Sequence, residues 1–344
     1  MTATPYVAVD REVLDANLAA MQAFCDARGI ALRPHAKTHK TLEIARRQLA
    51  LGAVGLTVAT VGEAEVFAGT VAKAGGDVLV AYPVAVPAER LRALAERVDV
   101  VVGVDSSAGV ARAAEAGVAA CVEVDSGLRR SGVVPSDAGA LAAEAASLGV
   151  AVTGVFTFPG HGYSTGDGAA RAAADESRAL AAAAASLETA GVACRVHSGG
   201  CTPTAAHVDG AVVTELRPGV YALQDAQQLA LGAARPDQVA LRVRATVVST
   251  AVPGQVVLDA GAKVLGMDRP TYVAGHGVLP AFPHATLERI WEHHGVVSLG
   301  GHPGPALGER VDVVPNHVCA TVNLVEELWA GQERWTVAAR GRNT

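Results

Sequence analysis

Nowhere in its 344 residues does the chain offer about 18 consecutive uncharged apolar residues, which excludes a membrane-spanning helix on length alone. The opening Met1-Thr2-Ala3-Thr4-Pro5 lacks a basic segment followed by an apolar core, so no export signal is read there and a cytoplasmic protein is expected. Positive charge is also in deficit. With 28 Lys and Arg against 34 Asp and Glu, the net charge of -6 leaves no electrostatic footprint for nucleic acid or an anionic membrane. The five cysteines, Cys25, Cys121, Cys194, Cys201 and Cys319, are an odd number without a CxxC spacing. That disfavours a disulfide framework and favours a reducing compartment. No GxGxxG opens the first helix, which removes the main support for a dinucleotide-binding sheet.

What is present is alternation. Short Val-rich runs at Ile30–Arg33, Val54–Ala59, Asp77–Ala81, Val98–Val104, Val118–Val124, Val150–Phe156, Val192–Val196 and Ala211–Thr214 are separated by Ala-rich stretches such as Ala169–Ala190. Strands without polar alternation are buried on both faces, and helices between them make parallel crossovers. Eight such runs predict a (β/α)8 TIM-type barrel over residues 1–234, with an open doubly wound sheet as the alternative. After about residue 235, Leu241, Val243, Ala245 and Val247 alternate with Arg242, Arg244, Thr246 and Val248, and helical periodicity fades. Strand-like runs at Glu309–Val314, Thr321–Leu324 and Arg334–Ala338 complete an expected antiparallel β domain over 235–344.

Barrel enzymes place their chemistry after the C-terminal strand ends, with phosphate bound after strands seven and eight. The first strand leads to Arg33-Pro34-His35-Ala36-Lys37-Thr38-His39-Lys40, where one amine between two histidines suits Schiff-base chemistry. The fifth leads to Asp125-Ser126-Gly127-Leu128-Arg129-Arg130, the sixth to Gly160-His161-Gly162-Tyr163, the seventh to His197-Ser198-Gly199-Gly200, and the eighth to Arg217-Pro218-Gly219-Val220-Tyr221. Small residues and hydroxyls in the last two let backbone N–H groups approach a phosphate. Separately, His317 and Cys319 stand two apart in Pro315-Asn316-His317-Val318-Cys319. On an extended segment such residues share a face and could grip one metal ion, although two ligands do not specify zinc.

The lysine segment and the loops after it resemble the D-serine dehydratase and D-threonine aldolase family, pyridoxal-phosphate enzymes of fold type III that are alanine racemase-like. The resemblance runs through these loops in register and covers nearly the whole chain. It implies that Lys37 holds the cofactor covalently. By the same resemblance, Arg130 lies near the cofactor's phenolic oxygen or the substrate carboxylate, Arg217 against the pyridine nitrogen, and Tyr163 against the cofactor. Ser198, with the backbone of Gly199, Gly200, Gly219, Val220 and Tyr221, looks like the phosphate cradle. His161 and Tyr163 join Lys37 as catalytic residues. Family architecture also lets residues 1–10 join the β domain and implies a homodimer.

Val-Pro-Asn-His-x-Cys-x-x-x-Asn-Leu resembles the metal-binding stretch of D-serine dehydratases, which makes His317 and Cys319 metal ligands. A thiolate favours Zn2+, with Mn2+ as the alternative, whereas the aldolases resembled here carry aspartate at the second position. They also carry a histidine past the turn after strand six, where this chain has Ser164, Thr165, Gly166 and Asp167. Both departures favour a dehydratase that converts small D-β-hydroxy amino acids such as D-serine to a 2-oxo acid and ammonia. Retro-aldol cleavage to glycine and an aldehyde stays open, with His293 and His294 as a possible base. A racemase is less favoured because Tyr272, the only tyrosine after 235, lacks the racemase motif. A non-enzymatic pyridoxal-phosphate-binding protein is disfavoured because such proteins lack the β domain.

Overall fold

The computed structural model describes residues 3–83 and 85–344. Its first half runs β1 (Tyr6–Val9), α1 (Arg11–Asp26), β2 (Ala31–Leu32), α2 (Leu42–Ala50), β3 (Gly55–Val58), α3 (Val61–Lys73), β4 (Asp77–Pro83), α4 (Ala88–Ala95) and β5 (Asp99–Val104). It continues with α5 (Ser107–Ala116), β6 (Ala119–Glu123), α6 (Ala138–Ser147), β7 (Val152–Phe156), α7 (Gly168–Thr189), β8 (Val196–Gly199) and β9 (Glu215–Leu216). Strands β2 to β9 form one parallel sheet in the order β2-β9-β8-β7-β6-β5-β4-β3. The ring closes where Val54 N–H donates to Leu32 O at 2.9 Å and His35 bridges Thr57 in parallel. A TIM-type barrel therefore stands, and the open sheet is excluded.

The middle strands of the barrel form because they are mostly apolar and buried on both faces. All four residues of β3 are buried, and Leu79, Val101, Cys121 and Phe156 from β4 to β7 pack together in one layer. Helix starts are fixed locally: Thr60 accepts from Glu63 N–H at 3.1 Å, and Ser106 accepts from Gly109 N–H at 3.3 Å. Each satisfies a donor that the first turn leaves open. Two expected strands are displaced. The run Val192–Val196 is mostly the exit from α7, with Val192 N–H bonded to Leu187 O, and β8 begins at Val196. The run Ala211–Thr214 is turn, and the strand is Glu215–Leu216.

The second half comprises α8 (Ala226–Ala230), β10 (Leu241–Ser249), β11 (Gln255–Leu258), α9 (Ala262–Leu265), β12 (Gly277–Val278), β13 (Thr286–Ile290) and β14 (Gly295–Ser298). It ends with β15 (Arg310–Pro315), α10 (Val318–Leu324), β16 (Glu327–Ala330) and β17 (Glu333–Thr336). Their sheet is mostly antiparallel, β13-β14-β11-β10-β1-β16-β17, with β15 pairing β10 and β12. The alternation in β10 becomes one buried and one half-buried face. Arg244 lies opposite Asp312 on β15 and donates from Nε to Oδ1 at 2.5 Å. β1 joins this sheet, Val7 facing Val243. Residues 321–324 are helical rather than extended, because Val318, Thr321 and Val322 bury one stripe at helical spacing.

By packing, the chain divides into two compact units. One holds the segment up to Asn17, Thr38–Thr41 and Val220–Arg340; the other holds Leu18–Lys37, Leu42–Gly219 and Gly341–Thr344.

Candidate functional site

In the barrel unit, the chain leaves β2 through a 3-10 turn, Ala36–Thr38, that carries Lys37. The Lys37 N–H donates to His35 Nδ1 at 3.4 Å. Phe158, two residues past β7, is shared by two cations: Lys37 Nζ lies 5.5 Å and the Arg130 guanidinium carbon 5.1 Å from its ring centroid. The negative ring face offsets part of the repulsion between them. Arg130 is delivered by the loop after β6, where the Asp125 carboxylate accepts from the N–H groups of Gly127 and Arg129 at 2.9 Å each.

The turn Gly160–Gly162 after β7 presents His161 and Tyr163. His161 Nε2 lies 3.2 Å from Asp175 Oδ2 on α7, and its buried Nδ1 has no hydrogen-bond partner. Asp175 is itself paired with Arg178. Its carboxylate therefore sets the ring's orientation. Tyr163 closes the turn, its N–H donating to Gly160 O at 3.2 Å.

Below this mouth a buried polar column runs through the barrel. Arg217 donates from Nη1 to Ser198 Oγ at 2.6 Å and from Nη2 to the Thr157 carbonyl at 2.5 Å. Ser198 Oγ donates to Glu215 Oε1 at 2.5 Å, and Glu215 Oε2 accepts from Arg33 Nε at 2.7 Å. Arg33 Nη1 reaches Asp77 Oδ1 at 2.6 Å, beside a cavity of about 60 Å³ at the N-terminal ends of β4 and β9. Burial draws the Arg217 pKa down, against the opposing pull of Glu215 and Glu176. For Arg33 burial acts in the same sense, but Glu215 and Asp77 outweigh it and raise the pKa.

Gly199 and Gly200 are explained by a side chain that sequence reading overlooked. A Cβ on Gly199 would stand 2.6 Å from the Glu176 carboxyl, and Gly200 adopts φ +75° with its N–H donating to Glu176 Oε2 at 2.6 Å. Glu176 is 1% exposed, and burial pushes its pKa up to about 7 despite the Gly200 N–H and the Arg217 charge. Further along, the N–H groups of Gly219 and Val220, at the start of the turn Val220–Ala222, meet no protein acceptor among the described residues. Such donors suit a phosphate.

In the other unit, His317 caps α10 and Cys319 lies in its first turn. The segment is therefore not extended throughout, yet the two side chains meet. Cys319 beside the ring raises the His317 pKa to about 11 against burial, helped by Asp225. His317 Nδ1 lies 3.5 Å from Asp225 Oδ2, an ion-pair distance too long for a proper hydrogen bond. Asp225 is fully buried and also accepts from the N–H groups of Val318 at 3.1 Å and Gln228 at 3.0 Å. A carboxylate fixed behind one imidazole nitrogen is what a metal-ligating histidine needs. Cys319 Sγ stands 3.3 Å from the hydroxyl of Thr38, the residue after Lys37. No group of three or more His, Cys, Asp or Glu side chains among the described residues has metal-binding geometry. His293 and His294 are exposed in the β13–β14 hairpin.

Residues 9–227 match the family model for the alanine racemase N-terminal domain, and residues 240–330 match a putative serine dehydratase domain. The chain is 37% identical to the D-threonine aldolase of Arthrobacter sp. over 98% of its own length and 93% of the relative's. It belongs to the D-serine dehydratase and D-threonine aldolase family. Another member, the D-threo-3-hydroxyaspartate dehydratase of Delftia sp. strain HT23, is 34% identical over 92% of this chain and 91% of that protein. Solved structures of a D-threo-3-hydroxyaspartate dehydratase include a histidine-to-alanine variant and a cysteine-to-alanine variant two positions further on, the latter metal-free. Both superpose with a TM-score of 0.86 at 32% identity, covering 98% of this chain and 95% and 97% of those chains.

Proposed function

We propose that the chain is a pyridoxal-phosphate- and metal-dependent lyase acting on D-amino acids with a β-hydroxyl. Its principal reaction in this reading is D-serine dehydratase-like elimination to a 2-oxo acid and ammonia. The observation that carries the reading is the barrel mouth, where Lys37 and Arg130 share the ring of Phe158. Supporting it are the unengaged N–H groups of Gly219 and Val220 and the His317–Cys319 pair backed by Asp225.

In this assignment Lys37 would anchor the cofactor, the donors at Gly219, Val220 and Tyr221 would take its phosphate, and Arg130 and Tyr163 would contact it. When bound, pyridoxal phosphate supplies the electron sink for negative charge at the substrate's α-carbon. Lys37 takes the α-proton, since an amine at a barrel strand end can act as a base once freed. Arg130 holds the substrate carboxylate. His161, steadied by Asp175, supplies general-acid help to the departing hydroxyl. His317 and Cys319 would hold a metal, which when bound would supply Lewis-acid chemistry.

Cys319 at the second position favours dehydratase over aldolase, because the hydroxyaspartate dehydratase also has a cysteine two residues after a histidine. The aldolase reading keeps support from the Arthrobacter relative. Product analysis with D-serine, D-threonine and D-3-hydroxyaspartate separates the two. From D-threonine, 2-oxobutyrate and ammonia are expected as the main products; glycine and acetaldehyde as the main products would overturn the dehydratase assignment. A tenfold product ratio reflects only about 1.4 kcal/mol between barriers, so a minor aldolase yield is compatible.

A further inference from the structure

The Ser198 hydroxyl has one proton to give, and the structure commits it. Its oxygen lies 2.5 Å from Glu215 Oε1, a carboxylate that can only accept, so the proton points there. The same oxygen receives a proton from Arg217 Nη1 at 2.6 Å. Ser198 is 0% exposed, and no second proton remains for a phosphate. Glu215 cannot turn away, because its other oxygen is held by Arg33 at 2.7 Å, and Arg33 is held in turn by Asp77. The column thus alternates in charge: Asp77, Arg33, Glu215, then Arg217 through the hydroxyl. Its far end is pinned by the Thr157 carbonyl at 2.5 Å.

We infer that Glu215, acting through the Ser198 hydroxyl, is the positioning residue that aims Arg217 at the bound cofactor, and that Ser198 is not a phosphate ligand; this rests on the cofactor reading above. Glu215 is the carboxylate that acts most strongly on the buried Arg217 guanidinium, ahead of Glu176, and it does so through the hydroxyl that Arg217 itself holds. A bidentate-capable, always-charged side chain held at two nitrogens keeps its remaining N–H groups fixed in direction. Charge at Arg217 then sets the local field on the cofactor, and that field is what an absorbance titration reads.

The test is a pair of measurements on pyridoxal-phosphate-loaded protein: the dissociation constant for pyridoxal phosphate, and the pH midpoint of the bound cofactor's visible absorbance. Ser198→Ala should leave the dissociation constant within about threefold of the parent and displace the midpoint by about one unit. Ser198→Thr, which keeps the hydroxyl, should restore the midpoint. Glu215→Gln, which makes the surroundings of Arg217 more positive, should move the midpoint down; if it does not fold, the serine pair still decides. Loss of a phosphate ligand would instead weaken binding tenfold or more, about 1.4 kcal/mol. That loss with an unmoved midpoint in Ser198→Ala overturns the relay. An unchanged midpoint in Ser198→Ala and Glu215→Gln overturns it as well. Parent protein that acquires no visible absorbance with pyridoxal phosphate overturns the cofactor reading and this assignment together.

Discussion

Replacing Glu176 by Gln tests the buried carboxyl behind the Gly199–Gly200 turn without touching any proposed catalytic group. Burial lifts its pKa from 4.5 to about 7 in the folded chain. The sign follows from linkage: between those values the folded state binds the proton that the unfolded state has released. This stabilising contribution is full below about pH 4.5 and is lost as pH rises through 7. At about 1.4 kcal/mol per unit, the loss between pH 5 and pH 8 is of the order of 2–3 kcal/mol. Gln keeps an acceptor for the Gly200 N–H at nearly the same volume and does not titrate. Relative to its own pH 5 value, Glu176→Gln should therefore be the more stable protein at pH 8. For a barrel of this size the difference corresponds to roughly 4–8 °C in unfolding midpoint. Melting both proteins at pH 5 and pH 8 gives the double difference directly. If both lose the same number of degrees, Glu176 is ionised at both pH values and the burial argument fails.

Three further outcomes are expected. Lys37→Ala should abolish borohydride fixation of pyridoxal phosphate and turnover, while Lys40→Ala keeps the fixation; a fully active Lys37→Ala protein would end the cofactor assignment. Chelation, His317→Ala and Cys319→Ala should each remove turnover of β-hydroxy substrates but leave the visible cofactor absorbance, and full activity in metal-free protein would make the pair structural. Arg33→Ala strips both carboxylates of a shared partner where side-chain exposure is only 10% for Arg33 and 6% for Glu215. It should cost about 3–5 kcal/mol by denaturant titration, and a cost below about 1 kcal/mol would mean that water in the neighbouring cavity already compensates the charges.

The middle of the barrel was legible because burial on both faces leaves one composition open to a strand. Val-rich runs locate β3 to β7 to within about two residues at most ends. β8 and β9 escaped that reading for a physical reason: Val196-His197-Ser198-Gly199 and Glu215-Leu216 carry the polar column, and Ser, Gly and Glu are poor strand formers. The strands that carry the buried polar column are the ones whose local preference is weakest. Thr321 and Val322 misled in the opposite direction. Their β-branching suggests a strand, yet the Thr321 hydroxyl, 3.1 Å from the Leu265 carbonyl, fits a helix that buries the stripe from Val318.

Glu176 shows how a site residue off the strand ends can still be read. Motif spacing finds loops, and α7 looks like an Ala-rich crossover. Its buried stripe, however, runs Ala172, Ala173, Glu176, Ala179, Leu180, Ala183, Ala184 and Leu187. A glutamate in the middle of an apolar register is expensive to bury unless something is there to receive it. The structure supplies the Gly200 N–H, and the absence of a Cβ at Gly199 makes the room. The Gly-Gly pair then has a reason that requires no bound phosphate: it lets a helix carboxyl reach the strand end. With Ser198 spent on Glu215 as well, the N–H groups of Gly219 and Val220 are donors that meet no protein acceptor among the described residues. Any phosphate bound here is therefore expected to sit nearer the end of β9 than the end of β8.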